Sequence, residues 1–250
     1  MFILFALVLM RMTGAIVLNP VLGRSNIPYA VKGVVIFALS FLMYTGTGGV
    51  LQQEPRMILE FAVMLIKELM VGFAIGFSME LSFAVVRFAA AIVDYIMGLS
   101  MAQVYDPQYN TQMTITSGMY YTFLVLLFLA GDGHVHLLAL IYTSARLVPF
   151  GQVLLRPQLA ELMLEIFKTS IAMGLQFAFP IIAMELVTEA AVGILMRVIP
   201  QINVFSVNFQ LKIIVGLMML VYLFNPMASK LYDIIDNMFL YIEEALMLLA

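Results

Sequence analysis

Three charged residues and one glycine between positions 185 and 200 are spaced so that the charged side chains could interact with one another. Glu185, Glu189, Gly193 and Arg197 step by four through an apolar stretch that ends at Pro200. On a helix such steps drift slowly around the axis, so these residues lie along one slanting stripe. Two glutamates four residues apart repel each other, and the cost rises in a low-dielectric place unless a cation is nearby. The pattern predicts a stripe buried against other protein, with Glu189 and Arg197 paired inside an assembly.

A second set of charges lies between residues 56 and 98. Glu80, Arg87 and Asp94 are each seven residues apart, so on a helix they share one face with alternating sign. Their flanks are apolar, which favours pairing with other helices over a solvated stripe. Gly72 and Gly76 form a GxxxG pair, which lets another backbone approach closely; a local kink is the alternative.

The sequence contains no recognisable catalytic machinery. We find no Ser/His/Asp set and no HExxH sequence, and glycine-rich residues 45–49 lack the Lys-Ser/Thr of a phosphate-binding loop. The chain has no cysteine, which excludes disulfides, thiolate metal sites and thiol nucleophiles. His134 and His136 have no third ligand at suitable spacing, so we interpret them as turn residues and not as a metal site. We therefore predict no enzyme activity and no cofactor.

Composition predicts an integral membrane protein, and the hydrophobic segments described below predict that it is all-α. The 250 residues are 64% hydrophobic and 11% charged, whereas ordinary globular domains carry about 25% charged residues. The mean hydropathy is +1.05. The net charge of −3 is spread along the chain, so there is no basic face for nucleic acid.

About six hydrophobic segments organise the chain, which we treat as a single domain over residues 1–250. They cover residues 1–18, 30–44, 56–98, 115–130, 158–199 and 211–224. A sharp turn follows at residues 131–134, where Asp132 is a candidate N-cap for the next helix. Residues 227–250 alternate acidic and apolar positions as an amphipathic helix does, and we expect this helix to lie on a surface or against a partner.

Two of these segments are too long and too charged to be simple membrane spans. Residues 56–98 would form a helix of about 64 Å, whereas the hydrocarbon core is about 30 Å thick. This segment therefore either bends near Gly72 and Gly76 or lies largely in protein surroundings. Segment 158–199 has the same problem, and Pro180 predicts a kink near Gln176 because it cannot donate to that carbonyl.

A polar break separates the third and fourth segments at residues 99–115. Asp106-Pro107 favours a turn, and four amide side chains make the break too polar to face lipid. A connection of this length is usually functional or disordered, and its aromatic and amide content argues against disorder.

These features together resemble one family, the FliR family of flagellar export-gate R subunits and their injectisome counterparts. The resemblance covers nearly the whole chain. The residues that carry it are Arg11-x-x-Gly14 with Pro20, Pro28 and Lys32; Glu68-x-x-x-Gly72-x-x-x-Gly76; the stretch 94–107; Asp132-Gly133-His134; Pro180, Glu189 and Gly193; Arg197-x-x-Pro200-Gln201-x-Asn203-x-Phe205; and Lys212.

The resemblance implies a helical hairpin subunit of a hetero-oligomeric gate in the bacterial inner membrane, at the flagellar basal body. One copy would join P-type and Q-type subunits, with B-type and A-type export subunits nearby, around a channel for unfolded export substrates. The implied buried-charge and interface residues are Glu68, Glu185, Glu189, Arg197, Gln201, Asn203 and Lys212. The implied close-packing glycines are Gly72, Gly76 and Gly193.

The resemblance also implies that the polar break projects into the channel and plugs it. The plug residues would be Met101, Ala102, Gln103, Val104, Tyr105, Asp106, Pro107, Gln108, Tyr109, Asn110, Thr111 and Gln112. One departure is Asn208-Phe209-Gln210, where family members often form a turn with Gly-Phe-Pro. The alternatives are an injectisome counterpart of the same family, a stand-alone secondary transporter with broken helices, and a purely structural scaffold.

Overall fold

The computed structural model describes residues 2–24, 27–46, 51, 55–101, 104–106, 111–199 and 204–250. Residues 101, 104–106, 111–113 and 204–206 are described by their backbone only. Within these ranges the regular secondary structure is helical except for one small hairpin. The helices are α1 (Phe2–Val17), α2 (Tyr29–Gly46), α3 (Ile58–Met97), α4 (Ile115–Ala130), α5 (Gly133–Leu147), α6 (Pro157–Val198), α7 (Val204–Tyr222) and α8 (Phe224–Leu249).

The all-α prediction is confirmed, and the predicted segments match the helices closely. The prediction of Asp132 as the N-cap residue of α5 is correct in position, but its side chain makes no cap hydrogen bond, and its backbone adopts a left-handed conformation with φ 56°. Two other local predictions are wrong. His134 and His136 lie in the first turn of α5, not in a turn before it. Asn208 lies inside α7, so no turn precedes Lys212.

The two long segments are each one continuous helix. The 40 residues of α3 run through Gly72 and Gly76 without bending back, which leaves protein surroundings as the explanation for its charges. The 42 residues of α6 run through Pro180, which has no N–H to donate to the carbonyl of Gln176. The kink predicted there stays a prediction.

Contacts divide the chain into two compact units, although the sequence predicted a single domain. The first unit contains residues 1–82, 128–168 and 235–250, and the second contains residues 83–127 and 169–234. The reason for the division lies in the long helices, since α3 and α6 each give their first part to one unit and their second part to the other.

The first unit is held together by close backbone contact and by aromatic rings. A Cβ built on Gly14 would lie 2.5 Å from the carbonyl oxygen of Leu69, and one on Gly72 would overlap the carbonyl of Arg11. The small residues therefore let α1 and α3 touch backbone to backbone. The ring of Phe5 packs edge-on against Phe37 of α2, with centroids 5.5 Å apart.

The second unit is built around two tyrosines of α4. The ring of Tyr120 packs edge-on against Phe177 of α6 at 5.0 Å, and its hydroxyl lies 2.9 Å from the sulfur of Met227 in α8. The ring of Tyr121 packs against Phe83 of α3 at 6.0 Å. The guanidinium of Arg87 lies over the face of Tyr121 at 5.1 Å, a favourable cation–π arrangement.

The amphipathic helix predicted at residues 227–250 is present as α8. Its apolar face is buried, as Leu231, Met238, Ile242 and Leu246 show, and its acidic residues lie on the other side. In the first unit, Phe239 of α8 stacks on His136 with centroids 4.3 Å apart. The apolar face of α8, which was expected to lie on a surface or against a partner, therefore packs partly against other helices of the same chain.

Two helices in the described ranges are long and apolar enough to cross a membrane, namely α2 and α6. Two bent pairs also qualify as broken spans: α4 with α5 at 67°, and residues 207–222 with α8 at 64°. The sequence predicted that segment 158–199 is too charged to span. Residues 169–184 contain no charge, so a central window of α6 qualifies by length and composition, although the whole segment is longer and more charged than one span.

Candidate functional site

The charged stripe predicted from the sequence lies where α6 faces α7, in the second unit. The ammonium Nζ of Lys212 on α7 lies 3.4 Å from Oε1 of Glu189 on α6. The side chain of Glu189 is 57% exposed, so this pair is screened by solvent and contributes at most about 1 kcal/mol. Arg197, the cation predicted from the sequence, forms no ion pair in the part of the chain described here. The reason is distance: eight residues along a helix separate two side chains by about 12 Å.

Glu185 is the unusual member of the stripe. Its side chain is buried, and neither carboxylate oxygen has a hydrogen-bond partner among the described residues. Lys212 is close enough for its positive charge to act on Glu185, while Glu189 opposes it. A buried carboxyl group without hydrogen bonds is costly, and such groups in native proteins call for an explanation beyond the fold.

Replacing Lys212 with methionine should destabilise the chain more than replacing Glu189 with glutamine. The Glu189→Gln change removes one half-exposed pair, worth about 0–1 kcal/mol. The Lys212→Met change removes the same pair and also the positive charge that acts on buried Glu185, so its cost should be larger. The apparent melting temperature of the purified protein in detergent measures both. A larger loss for Glu189→Gln would contradict this assignment.

Two of the implied interface residues, Gln201 and Asn203, lie outside the described residues. Gly193 is described, and it is exposed: a Cβ built on it would meet nothing within 4 Å. Gly193 therefore has no close neighbour among the described residues, and its predicted close packing stays a prediction for the assembly. Gly72 and Gly76 differ, since a Cβ on Gly76 would lie 2.9 Å from Cβ of Leu18 and 3.0 Å from the carbonyl oxygen of Gly14.

The contrast between these glycines gives a matched test. Gly72→Ala should force α1 and α3 apart and cost about 1–3 kcal/mol, the usual penalty for overpacking. Gly193→Ala should stabilise the isolated chain by about 0.5–1 kcal/mol, because glycine weakens a helix interior. Apparent melting temperatures compare the two variants. Equal shifts of the same sign would show that the close contact between α1 and α3 is unimportant.

The predicted plug loop is anchored where it leaves α3 and where it enters α4, and we call these two anchored ends its base. Gly98 closes α3 with φ 79°, a left-handed conformation that glycine adopts at no steric cost. Asp94, one turn earlier, accepts a 2.8 Å hydrogen bond at Oδ2 from the backbone N–H of Thr116 in the first turn of α4. The hydroxyl of Thr116 donates to the other oxygen of the same carboxylate. Asp94 thereby satisfies a free N–H of α4 and clamps the two ends of the loop together.

Between these ends the backbone forms a one-turn 3-10 helix at Leu99–Met101 and an antiparallel hairpin. The hairpin joins strand β1 (Val104–Asp106) to strand β2 (Thr111–Met113), with Tyr105 opposite Gln112. The predicted plug residues Ala102, Gln103 and 107–110 lie outside the described residues. The sequence predicted a turn at Asp106-Pro107 but gave no indication of paired strands.

A buried cluster joins Arg11 to Glu68; the resemblance implied that Glu68 is a buried charge, but sequence reasoning missed its pairing with Arg11. Arg11 and Glu68 are fully buried, and Nε of Arg11 donates to Oε2 of Glu68 at 2.7 Å. The two terminal nitrogens of Arg11 donate to the carbonyl oxygens of Ser144 at 2.9 Å and Val148 at 2.8 Å. Arg11 thus ties α1 to α3 and to the end of α5, where the carbonyl of Ser144 also accepts from the N–H of Val148.

Further contacts complete this Arg11 cluster. Oε1 of Glu68 accepts a 2.9 Å hydrogen bond from the N–H of Gly151, and the guanidinium lies 4.2 Å from the ring centre of Phe150. A buried ion pair costs desolvation that only good geometry and added hydrogen bonds offset, and this cluster supplies both. The sequence signal was Arg11 in the middle of an apolar run, since an arginine there needs a buried partner.

No group of three or more potential metal ligands occurs among the residues that the structure describes. Ser144, the serine in the Arg11 cluster, donates to the carbonyl of Ile141 at 2.6 Å and accepts from Arg11. It is therefore bound in a structural role. The geometry of the described residues is that of packing, ion pairing and loop anchoring.

Comparison with known sequences gives a match along most of the chain. Residues 2–238 match the profile described as bacterial export proteins, family 1. The flagellar biosynthetic protein FliR of Bacillus subtilis (strain 168) is 29% identical, over 98% of this chain and 94% of the relative. FliR of Escherichia coli (strain K12) is 28% identical, over 92% and 88%. The secretion system apparatus protein SsaT of Salmonella typhimurium is 27% identical, over 71% and 69%.

Proposed function

The chain belongs to the bacterial export proteins of family 1, and from this membership we propose that it is the R-type subunit of a flagellar type III protein export gate. The resemblance to the FliR family noted from the sequence is confirmed. The observation that carries the proposal is the extent of the match, because residues 2–238 include both long charged helices and the loop between α3 and α4.

The flagellar function is favoured over the injectisome function. The Bacillus subtilis flagellar relative aligns with 98% of this chain, whereas SsaT aligns with 71%. In the proposed gate, one copy of the chain joins P-type and Q-type subunits around a channel for unfolded flagellar proteins. The assembly lies in the bacterial inner membrane at the basal body, with A-type and B-type export subunits as neighbours.

Exposed apolar surface on α6 supports a place among neighbouring subunits. Leu186, Val187, Ile194 and Val198 all expose more than half of their surface, and Gly193 lies between them. Contiguous apolar patches of this kind mark interaction sites, and an exposed glycine lets a second helix approach closely. We infer that the C-terminal half of α6 packs against another gate subunit.

The loop between α3 and α4 is the proposed closure of the channel. Its polar composition suits a water-filled channel, and its base is fixed by Asp94, Thr116 and Gly98. A fixed base with a hairpin above it suits a plug that keeps its place while the channel is closed.

A stand-alone transporter is the second candidate, because the two bent helix pairs suit broken membrane spans. One comparison separates the two functions. Deleting the gene in the source bacterium should abolish flagellar assembly and the export of filament protein, and a plasmid copy should restore both. Swimming cells with normal filaments would overturn the export function, whereas substrate transport by the purified chain alone would favour the transporter.

A further inference from the structure

Glu185 is a buried acid whose place in the second unit the fold alone does not explain. Only 1% of the residue is exposed, and neither carboxylate oxygen has a hydrogen-bond partner among the described residues. It directly follows residues 169–184 of α6, which contain no charge. A carboxylate in such a place loses its hydration without compensation, whereas a neutral carboxyl group loses far less. Burial therefore favours the protonated form of Glu185.

One cation serves two acids where α6 faces α7. The ammonium of Lys212 lies 3.4 Å from Oε1 of Glu189 and is engaged there. Glu185 and Glu189 are one turn apart on α6, so their side chains are neighbours. If both acids were ionised, one negative charge would stay uncompensated beside the uncharged run of α6. A single proton on Glu185 removes this charge, and Glu189 is better suited to stay ionised because its side chain is 57% exposed.

The other charges described in this unit are engaged or distant. Helix α4 carries no charged residue, and Lys212 is the one charged residue of α7. The charged side chains that α3 and α8 contribute to the unit have partners of their own, namely Arg87 with Tyr121, Asp94 with Thr116, and Lys230 with Asp233. Arg197 lies about 18 Å beyond Glu185 along α6. Among the described residues, Lys212 and Glu189 are therefore the charged groups that act on Glu185.

We propose that Glu185 is a proton-binding site and that its proton determines which acid holds Lys212. Near neutral pH the carboxyl group carries a proton taken from water, and Lys212 stays with Glu189 as it does in the structure. When Glu185 returns the proton to water it becomes a buried carboxylate, which draws Lys212 away from the half-exposed Glu189. This proton site does not depend on the export function, because both acids and the lysine belong to one chain.

Infrared spectroscopy of the full chain, purified with the neighbours that accompany it, detects this proton. The C=O stretch of a protonated carboxyl group is separate from the bands of a carboxylate. Exposed glutamates titrate at about pH 4.3, so their C=O band is lost by about pH 6.5. At that pH we expect a wild-type band that disappears in Glu185→Gln and persists in Glu165→Gln, which changes an exposed acid of the same helix. Glu185→Met is the second variant if the buried amide prevents folding.

Two charge variants test the exchange of Lys212 between the acids. Glu189→Gln frees Lys212 for Glu185 and removes a negative neighbour, so the band should vanish at a pH lower by at least about one unit. Lys212→Met removes the cation, so the band should persist to a pH higher by at least about one unit. If no band at about pH 6.5 depends on Glu185, as when a neighbouring subunit pairs with its carboxylate, the proton site is overturned. Shifts in the same direction would overturn the exchange.

Discussion

Replacing Arg11 with methionine should cost about 3–5 kcal/mol of unfolding free energy, because it leaves the carboxylate of Glu68 buried without its cation. The same change removes the donors to the carbonyl oxygens of Ser144 and Val148. Folded domains are stable by only about 5–15 kcal/mol, so we expect little folded protein to accumulate. The yield of monodisperse protein in detergent and its apparent melting temperature measure the effect.

Two controls isolate the ion pair. The double change Arg11→Met with Glu68→Met should cost less than the sum of the single changes, because no unpaired charge stays buried. Lys230→Ala breaks an exposed pair with Asp233 and should cost at most about 1 kcal/mol. Additive single and double effects, or an Arg11→Met variant as stable as Lys230→Ala, would show that the cluster does not hold the first unit together.

Replacing residues 102–112 with a short Gly-Ser linker should make the assembled gate leak small ions. The linker keeps Asp94 and Thr116, so α3 and α4 stay joined while the hairpin is lost. We expect conductance in a planar bilayer to rise by at least about tenfold. A change of only about 1.4 kcal/mol in the free-energy difference between the closed and the open gate is enough for this rise. A gate that conducts no more than before would refute the proposed plug.

Two further variants test whether the loop itself or the hydrogen bonds at its base keep the channel closed. Thr116→Val removes the hydroxyl that donates to Asp94 but keeps the loop, so it should give a smaller leak. A same-length Gly-Ser replacement of residues 107–110 should keep the channel closed if the length of the loop matters more than its sequence. If all three variants behave alike, the leak reflects general damage to the assembly and not removal of a plug.

The helices could be predicted well because apolar runs and proline or glycine breaks are local signals. Residues 115–130 were predicted as a segment and form α4 with the same bounds. Local detail was harder to predict where one residue can adopt either of two local conformations. Asp132 has a suitable side chain for a cap, yet the chain uses its tolerance of a left-handed backbone, as Asn and Asp often allow.

The partners of the charges could not be predicted, because they depend on how distant helices meet. Arg197 was predicted to pair with Glu189 inside an assembly, and within the chain it is Lys212 of α7 that lies beside Glu189. Glu68 and Arg11 are 57 residues apart, and no spacing rule connects them. Arg11 and Glu68 are buried within the chain, and the packing of α1, α3 and α5 determined which residues surround them.

The Arg11 cluster also sets an order for biosynthesis. Ser144 follows Arg11 by 133 residues, which at about 5–20 residues per second takes a ribosome roughly 7–27 seconds. Glu68 emerges earlier, but the acceptors at the end of α5 do not exist until that time has passed. During synthesis the guanidinium of Arg11 therefore lacks its final acceptors. We expect this group to stay in water or at the lipid headgroups until the other helices pack around it.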